Sequence, residues 1–421
     1  MTHVHVIGAG LAGLSAALAL TALGRSVTVH EAGPAAGGRC RSYFDKELGL
    51  RIDNGNHLLL SGNSAANSYI AEIAATGAFS VAGEASFPFM DLATSERWSV
   101  RPNQGRIPWW IFTASRRVPA TRASDYMQMA RIARIRDDAS VAESMRPGRL
   151  YRQLLEPIAI AALNTPPREG LARLLAAVMR ETLLRGGAAC RAMLPRAGLS
   201  EALVDPATAT LRARGAEIGF NRRIAGLTIE NRTITALRGP AGPIVLGVDD
   251  AVVLAVPPWV AVELVPGLVG PDAFEAILNI HFLHAADPSG PLAEAGFIGL
   301  TSGTAEWLFI KPGHVSVTIS AANRMVDHPA SAIAALVWPN VVDALGLPQD
   351  MKRTLPRYRV VKEKRATFAA TAAQEVRRPK PRTALARNLA LAGDWTDTGL
   401  PATIEGAIRS GRSAAEALRT L

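Results

Sequence analysis

At 421 residues, the chain is too long for one ordinary hydrophobic core, and we expect about two domains. Hydrophobic residues make up 48% of it, but every apolar run of about 18 residues is broken by charges or glycines, which argues against a transmembrane helix. The two cysteines, Cys40 and Cys190, fit neither a disulfide framework nor a metal site. We therefore predict a cytoplasmic protein without structural metal.

The formal net charge of +10 is concentrated in one segment. Between Arg101 and Arg152 there are eleven arginines and four acidic residues. A nucleic acid, an anionic membrane surface or an anionic substrate would each suit such a segment. Neither zinc-finger spacing nor an aromatic and glycine-rich RNA-binding signature accompanies the charge, so we predict no nucleic-acid partner.

The first 31 residues predict a strand, a glycine turn, a helix and a second strand that ends at Glu31. Gly8 permits a tight turn, Gly10 lets the backbone approach a pyrophosphate, and Gly13 lets the helix pack closely on the strand. A diphosphate then binds the free amides at the helix N-terminus, and a carboxylate about 20 residues later binds a ribose. The predicted dinucleotide-binding residues are Gly8, Gly10, Leu11, Ala12, Gly13, Glu31 and Ala32.

Two other readings of this stretch are an ordinary buried strand–turn–helix and a signal peptide. The segment lacks the basic start of a signal peptide, and it continues into a strand that ends in an acid. A signal peptide is therefore excluded.

Two glycine-containing loops follow. The first comes directly after the second strand and carries Gly38 and Arg39, which are close enough in sequence to reach the phosphates of a dinucleotide; a solvated loop is the alternative. The second follows another predicted strand and contains Gly55 and Asn56, where a glycine admits a flat ring system. His57, next in the chain, suits either a hydrogen-bonded core histidine or a catalytic group.

Residues 63–199 predict helices that are interrupted by prolines. The clearest helix is 168–185, whose apolar residues fall on one stripe and which ends at two glycines. The run 161–167 ends one helix and begins another, with Thr165 or Pro166 near the cap.

The run 108–112 combines a proline, two tryptophans, an isoleucine and a phenylalanine, and two arginines follow at Arg116 and Arg117. Aromatic rings beside arginines are typical of a membrane interface, where the cations meet anionic lipid. Core packing around a substrate cavity is the alternative.

A buried strand near the end of the chain leads into Gly393 and Asp394, and a helix begins near Thr403. Short strands also return in the middle of the chain, so both chain ends and this middle part predict one nucleotide-binding domain. The predicted boundaries are 1–62, 200–265 and 385–421 for this domain, and 63–199, mainly helical, and 266–384 for a substrate domain.

The glycine motif with Glu31, the run 37–39 and the run 393–396 resemble the superfamily of FAD-dependent amine oxidases and phytoene desaturases. The run 401–407 resembles the carotenoid and squalene branch. The runs 53–60, 163–167 and 193–200 are similar to the hydroxysqualene dehydroxylase family of bacterial hopanoid synthesis. Asn63 departs from the family pattern, in which we expect an aromatic residue.

The resemblance implies an α/β fold, with a Rossmann-type FAD-binding domain of the glutathione-reductase-like kind and an inserted α+β substrate-binding domain. It implies non-covalent FAD, because members that tether flavin use a cysteine shortly before the C-terminal motif and this chain has none after Cys190. Beyond the N-terminal motif, the implied cofactor-binding residues are Gly38, Arg39, Gly55, Asn56, Ile224, Gly393, Asp394, Pro401, Ala402, Thr403 and Ile404.

The activity that the resemblance implies is removal of the hydroxyl of hydroxysqualene by hydride from reduced FAD, giving squalene. We predict His57 as the proton donor with Glu405 behind it, although either residue could be structural. The sequence has no second nucleotide fingerprint, so the electrons come from an external reductant or from NAD(P)H bound without that fingerprint.

The implied partners are a long-chain isoprenoid substrate, the external reductant, neighbouring squalene-synthesis enzymes and the inner face of a membrane. The alternatives are an oxidative member of the superfamily, such as a carotenoid desaturase or an amine oxidase, and a non-catalytic flavin-bearing scaffold for isoprenoid enzymes.

Overall fold

The computed structural model describes residues 3–132, 134–135 and 137–419. Within these residues, the chain forms twenty strands, which are β1 (His3–Ile7), β2 (Ser26–His30), β3 (Ser42–Asp45), β4 (Leu50–Asp53), β5 (Leu59–Leu60), β6 (Phe79–Val81), β7 (Phe87–Asp91), β8 (Arg97–Val100), β9 (Ala192–Pro195), β10 (Glu217–Gly219), β11 (Gly226–Glu230), β12 (Thr233–Gly239), β13 (Gly242–Val245), β14 (Ala251–Leu254), β15 (Phe274–Phe282), β16 (Phe297–Thr301), β17 (Trp307–Lys311), β18 (His314–Ile319), β19 (Tyr358–Phe368) and β20 (Leu389–Leu391).

The same residues form twelve α-helices. These are α1 (Leu11–Ala22), α2 (Ser64–Glu72), α3 (Met127–Ile132), α4 (Val141–Ser144), α5 (Glu156–Leu163), α6 (Ala172–Glu181), α7 (Asp205–Ala213), α8 (Pro258–Leu264), α9 (Gly290–Ala295), α10 (Ala330–Leu345), α11 (Ala372–Glu375) and α12 (Ile404–Ala417). None of the helices in the described part of the chain is long and apolar enough to cross a bilayer.

The first large sheet is parallel and has the order β10-β2-β1-β14-β20. Its central strands are buried apolar segments, which suits a parallel sheet covered on both faces. Helices α1 and α12 lie against each other beside it, and a Cβ added at Gly411 of α12 would come within 2.2 Å of the Ala12 carbonyl oxygen. The sheet takes strands from 1–62, 200–265 and 385–421, while the domain boundaries themselves stay predictions.

The second large sheet has the order β19-β15-β18-β17-β16-β7-β8. All its strand pairs are antiparallel except β16 with β7. Side chains alternate along β15, so Leu278, Ile280 and Phe282 pack in one cluster with α10, while Asn279 and His281 lie on the opposite face. That opposite face turns polar beside the nucleotide-binding domain, which positions the candidate site.

Two local predictions about residues 63–199 differ from the structure. The segment holds β6 to β9 as well as helices, because these strands pair with partners elsewhere in the chain. Helix α6 begins at Ala172 with Leu171 as its N-cap, later than the predicted cap at Thr165 or Pro166. Asn164 ends α5 in the left-handed conformation, with φ of 46°, and this turn delays the next helix.

Two buried histidines face each other inside the parallel sheet. The Nδ1 atom of His5 lies 3.0 Å from the Nε2 atom of His30, with exposed fractions of 7% and 3%. Burial is the largest cause that lowers the pKa of each ring to about 4, and the cations around them act in the same direction. Both rings are therefore neutral near pH 7.

This pair predicts acid sensitivity of the fold. Unfolded histidine titrates near pH 6.5, so below that pH the unfolded chain binds more protons and the free energy of unfolding should fall until about pH 4. The double variant His5→Val with His30→Val should lose this part of the pH dependence in urea unfolding, whereas His328→Asn, at an exposed position, should keep it. An unchanged slope in the double variant would contradict the assignment.

Candidate active site

The turn between β1 and α1 needs its glycines for lack of space. Gly8 has φ of +104°, and a Cβ there would lie 2.5 Å from the Ala255 carbonyl oxygen. A Cβ at Gly13 would lie 1.9 Å from the Gly8 oxygen. At Gly10, by contrast, a Cβ would meet nothing within 4 Å. The backbone in front of α1 is therefore open, and no side chain in the described chain caps that helix end.

Glu31 lies at the edge of this opening. Its Oε2 atom accepts a hydrogen bond from the Ala9 amide at 2.8 Å, and its Oε1 atom accepts one from the Gly33 amide at 2.7 Å. Each carboxylate oxygen keeps a further lone pair for a ribose hydroxyl. The Arg222 amide donates to the Glu31 carbonyl oxygen at 2.8 Å, which brings the buried Ile224 to the same edge.

The second glycine loop closes over the first. The Gly37 amide donates to the Ala9 carbonyl oxygen at 2.8 Å, and a Cβ at Gly38 would lie 3.4 Å from the Gly10 Cα. Arg39 reaches out of this loop, and its Nη2 atom lies 2.7 Å from Oδ1 of Asp394. The predicted cofactor residues of the two chain ends are thus joined by an ion pair.

The C-terminal motif follows β20. Gly393 has φ of +149°, and its amide donates to the Ser410 hydroxyl at 2.8 Å. Thr403 is the N-cap of α12, since its hydroxyl accepts a hydrogen bond from the Gly406 amide at 3.0 Å. Pro401 and Ala402 lead into this helix, and the first turn, which starts at Ile404, offers the positive end of a 14-residue helix dipole.

Gly55 and Asn56 lie against the polar face of the second sheet. A Cβ at Gly55 would come within 3.3 Å of the Asn279 side-chain nitrogen. The Asn56 amide nitrogen donates to Ser316 at 2.7 Å and to Thr318 at 3.0 Å. The Oδ1 atom of Asn56 is buried without a hydrogen-bond partner among the described residues, so it can accept from a bound molecule.

The groove fits a dinucleotide with a flat ring system. It combines open backbone before α1, a carboxylate at the tip of β2, an arginine between the chain ends and an unsatisfied amide oxygen beside Gly55. Among the described residues, no group of three or more metal-ligating side chains is present. Both cysteines are buried, and burial raises the pKa of each thiol, so neither is a reactive thiolate.

His57 lies next to this groove, beside Asp53 and Lys311. Burial lowers the pKa of His57 to about 4, and Lys311 and Arg39 act in the same direction while Asp53 opposes them. The imidazole is therefore neutral near pH 7, the form that donates a proton poorly. Its role as proton donor stays a prediction.

Glu405 has a different surrounding from the one expected of a proton donor. Its two carboxylate oxygens accept hydrogen bonds from the Ala65 and Ala66 amides, at 2.9 and 2.8 Å. Arg409 pairs with the same carboxylate at 3.0 Å and with Glu181 at 2.8 Å. These contacts cap α2 and join it to α12, so we replace the predicted catalytic role of Glu405 by a structural one.

Several residues at this site escaped the sequence reasoning. The Lys311 ammonium lies 3.2 Å from Oδ2 of Asp53, and this largely buried ion pair joins β17 to β4. Burial raises the pKa of Glu275 and of Glu306 to about 7, with Glu169 adding to the shift at Glu275. Alternate polar residues in the apolar strands β15 and β18 were the available signal.

Asn164 links the surroundings of these two carboxyl groups. Its side-chain nitrogen donates to the Glu275 carbonyl oxygen at 3.3 Å, and its side-chain oxygen accepts from the Ala321 amide at 2.7 Å. The adjacent Ser320 amide donates to Glu306 at 2.7 Å. The run 163–167 is therefore a structural junction between α5 and the second sheet.

The model of the family described as flavin containing amine oxidoreductase matches residues 11–287 and 310–419. The chain belongs to this family. It is 48% identical over 415 residues to a hydroxysqualene dehydroxylase of Rhodopseudomonas palustris, covering 98% of this chain and 97% of the relative. Proteins of that name from Sinorhizobium fredii and Zymomonas mobilis are 45% and 42% identical, over 98% and 99% of this chain and 97% and 99% of the relatives.

Solved structures agree on the fold. Cyclohexylamine oxidase from Brevibacterium oxydans superposes with a TM-score of 0.70 at 15% identity, over 99% of this chain and 98% of the other. A putative protoporphyrinogen oxidase from Exiguobacterium gives 0.67 at 15% identity, with the same coverage. The predicted fold class, the FAD cofactor and the class of FAD-dependent oxidoreductase are confirmed. The individual cofactor-binding residues stay predictions.

The contacts of Glu31 predict that it holds the cofactor. Glu31→Ala should weaken FAD binding roughly 10- to 100-fold, because a lost contact of this kind costs about 1–3 kcal/mol. Retained flavin after dialysis and a fluorescence titration measure the change. Glu230→Ala, at an exposed site, is the control. A Glu31→Ala protein that keeps its full flavin absorbance would refute the role.

The contacts of Glu405 predict a loss of stability rather than of chemistry. Glu405→Ala leaves two α2 amides and Arg409 without their acceptor, which should cost about 1–3 kcal/mol of unfolding free energy. The milder Glu405→Gln variant should lower Tm and keep the pH profile of turnover. A drop in turnover of two or more orders of magnitude with unchanged Tm would restore the catalytic role.

Proposed function

We propose that the protein removes the hydroxyl of hydroxysqualene by FAD-dependent reduction and so produces squalene. The observation that carries the proposal is the similarity over nearly the full length, at 42–48% identity, to three proteins named hydroxysqualene dehydroxylase. The oxidative alternatives have only shorter matches, such as 34% identity to an L-amino-acid oxidase of Bungarus fasciatus over 24% of the chain.

Reduced FAD, when bound, would supply the hydride that replaces the hydroxyl. The carbon–oxygen bond breaks, the hydroxyl takes up one proton, and water leaves. The predicted holding residues are those at the two chain ends, with Glu31 at the ribose and Arg39 and Asp394 further along the groove. The remaining work of the chain is to bind an apolar substrate, exclude water and deliver a proton.

The aromatic end of the second sheet supports an apolar substrate. Aromatic side chains from β7, β8, β16 and β17 pack together there, with ring centroids 5.6 to 6.1 Å apart. They are Phe87, Phe89, Trp98, Phe297, Trp307 and Phe309. Such rings suit a long isoprenoid chain, and their faces would stabilise an allylic cation if the hydroxyl leaves first.

We propose Glu275 and Glu306 as proton donors beside His57. A general acid works best when its pKa lies near the working pH, and burial raises the pKa of both carboxyl groups to about 7. Glu306 also accepts a hydrogen bond from the Ser320 amide, which fixes its orientation. The neutral His57 has its pKa near 4 and is the less suitable donor at neutral pH.

The remaining partners are proposals as well. The protein would receive its electrons from an external reductant, because the chain carries no second nucleotide fingerprint. We place it in the cytoplasm, peripheral on the inner face of the membrane, near the enzymes that supply hydroxysqualene. FAD would be held non-covalently, since no cysteine follows Cys190.

One experiment separates the reductive function from its alternatives. Anaerobic, photoreduced protein mixed with hydroxysqualene should regain the oxidised flavin spectrum and form one squalene per flavin. Oxidised protein with the same substrate is the control and should form none. Absence of both reoxidation and squalene would overturn the proposal, and flavin reduction by an amine or a carotenoid precursor would favour the oxidative alternatives. A scaffold would turn over nothing.

A further inference from the structure

The run 108–112 divides into a buried and an exposed half. Trp110 and Ile111 are 3% and 8% exposed and belong to the apolar cluster under the aromatic sheet face. Trp109 and Phe112 are 50% and 73% exposed, and the preceding Ile107 is 80% exposed. Both readings of the sequence therefore hold, each for different side chains of the same short 3₁₀ turn.

The exposed side chains stand on a fixed base. Trp110 packs edge-to-face on Tyr126, with ring centroids 5.1 Å apart. Asn103 donates to the Ile107 carbonyl oxygen at 2.9 Å and accepts from the Trp110 amide at 3.3 Å. Met127, which directly follows Tyr126, is 67% exposed. We call Ile107, Trp109, Phe112 and Met127 the apolar patch.

The apolar patch is unusual for this surface. It holds four of the thirteen large hydrophobic side chains that are exposed in the described chain, within 21 consecutive positions. It also holds two of the three exposed aromatic residues, Phe44 being the third. A cluster of exposed aromatic and aliphatic side chains indicates an interaction surface, whereas scattered single ones do not.

Cations surround the apolar patch. The Arg116 guanidinium lies 5.1 Å from the centre of the Trp109 ring, and Arg106, Arg122 and Arg131 are exposed nearby in the sequence. The facing carboxylates are few. Asp125 is engaged with the Arg122 amide at 2.7 Å, and Glu84 lies 3.7 Å from Arg116.

A polar cleft adjoins the patch. It has a volume of about 500 Å³ and is lined by Arg106 and Arg185 together with the side chains of Ser61, Ser64 and Asn67. Two guanidinium groups with hydroxyl and amide donors suit a phosphate group. The cleft therefore offers a place for a lipid headgroup directly beside apolar side chains that suit the acyl region.

We propose that the apolar patch and its arginines dock the protein on the surface of an anionic phospholipid bilayer. The rings and aliphatic side chains enter the interface, and the arginines contact lipid phosphates. The buried half of the same turn continues into the aromatic cluster of the second sheet, so an apolar substrate would reach the site from the bilayer without crossing water. The docking itself rests on these contacts and not on the identity of the substrate.

Flotation of the FAD-loaded protein with vesicles tests the docking. Phosphatidylcholine vesicles containing phosphatidylglycerol should carry the protein, and pure phosphatidylcholine vesicles should carry at least about 10-fold less. Higher salt should weaken the binding, because the Debye length falls from about 10 Å at 0.1 M to about 3 Å at 1 M. No flotation with anionic vesicles, or equal flotation with both kinds, would overturn the proposal.

Matched variants assign the binding to this surface. Ile107→Ser, Trp109→Ser and Phe112→Ser together should reduce flotation at least about 10-fold. The control is Val245→Ser, Val248→Ser and Val376→Ser, at side chains that are 78%, 98% and 78% exposed elsewhere, and it should leave flotation unchanged. Equal losses in both triple variants would overturn the assignment. Unchanged flavin absorbance and Tm verify that each variant is folded.

The cleft has its own variant, Arg106→Gln with Arg185→Gln. It should reduce the preference for anionic over neutral vesicles several-fold, and an unchanged preference would overturn the role of the cleft. Turnover of hydroxysqualene in detergent is measured separately on all variants. Lost flotation with normal turnover supports docking, whereas absent turnover with normal flotation counts against the proposed reaction and leaves docking supported.

Discussion

The architecture depends on the close approach of backbones around α1. The helix lies against the β1 turn at Gly13, and α12 lies against the helix at Gly411, with no room for a Cβ at either position. These contacts come from opposite ends of the chain, and together they fix the groove between the first sheet and the C-terminal helix. Arg39 and Asp394 then bridge the groove, so the cofactor site is a product of tertiary packing more than of one motif.

The local parts of this arrangement could be predicted from sequence. The β1–α1–β2 unit is short, and its glycines and Glu31 follow physical requirements that act within about 30 residues. The same holds for β14 and β20, whose apolar runs indicate buried parallel strands. Family resemblance added the correct cofactor and fold class, because its motifs lie at both ends of the chain.

The non-local parts could not be predicted in this way. Strands β7 and β8 join the second sheet through pairing of β7 with β16, about 210 residues away, and nothing in their own sequence indicates that partner. Glu405 follows the conserved-looking C-terminal run, yet its function is decided by the amides of Ala65 and Ala66. Lys311 becomes part of the site only because it meets Asp53.

The bridge between Arg39 and Asp394 also constrains the order of events during synthesis. The first glycine turn leaves the ribosome early, but its partner strand β20 and the capping helix α12 are made last. The groove therefore cannot close around a flavin until nearly the whole chain has been released. Cofactor capture must be one of the final steps of maturation, and until then the exposed apolar faces of α1 depend on the rest of the nascent protein or on chaperones for cover.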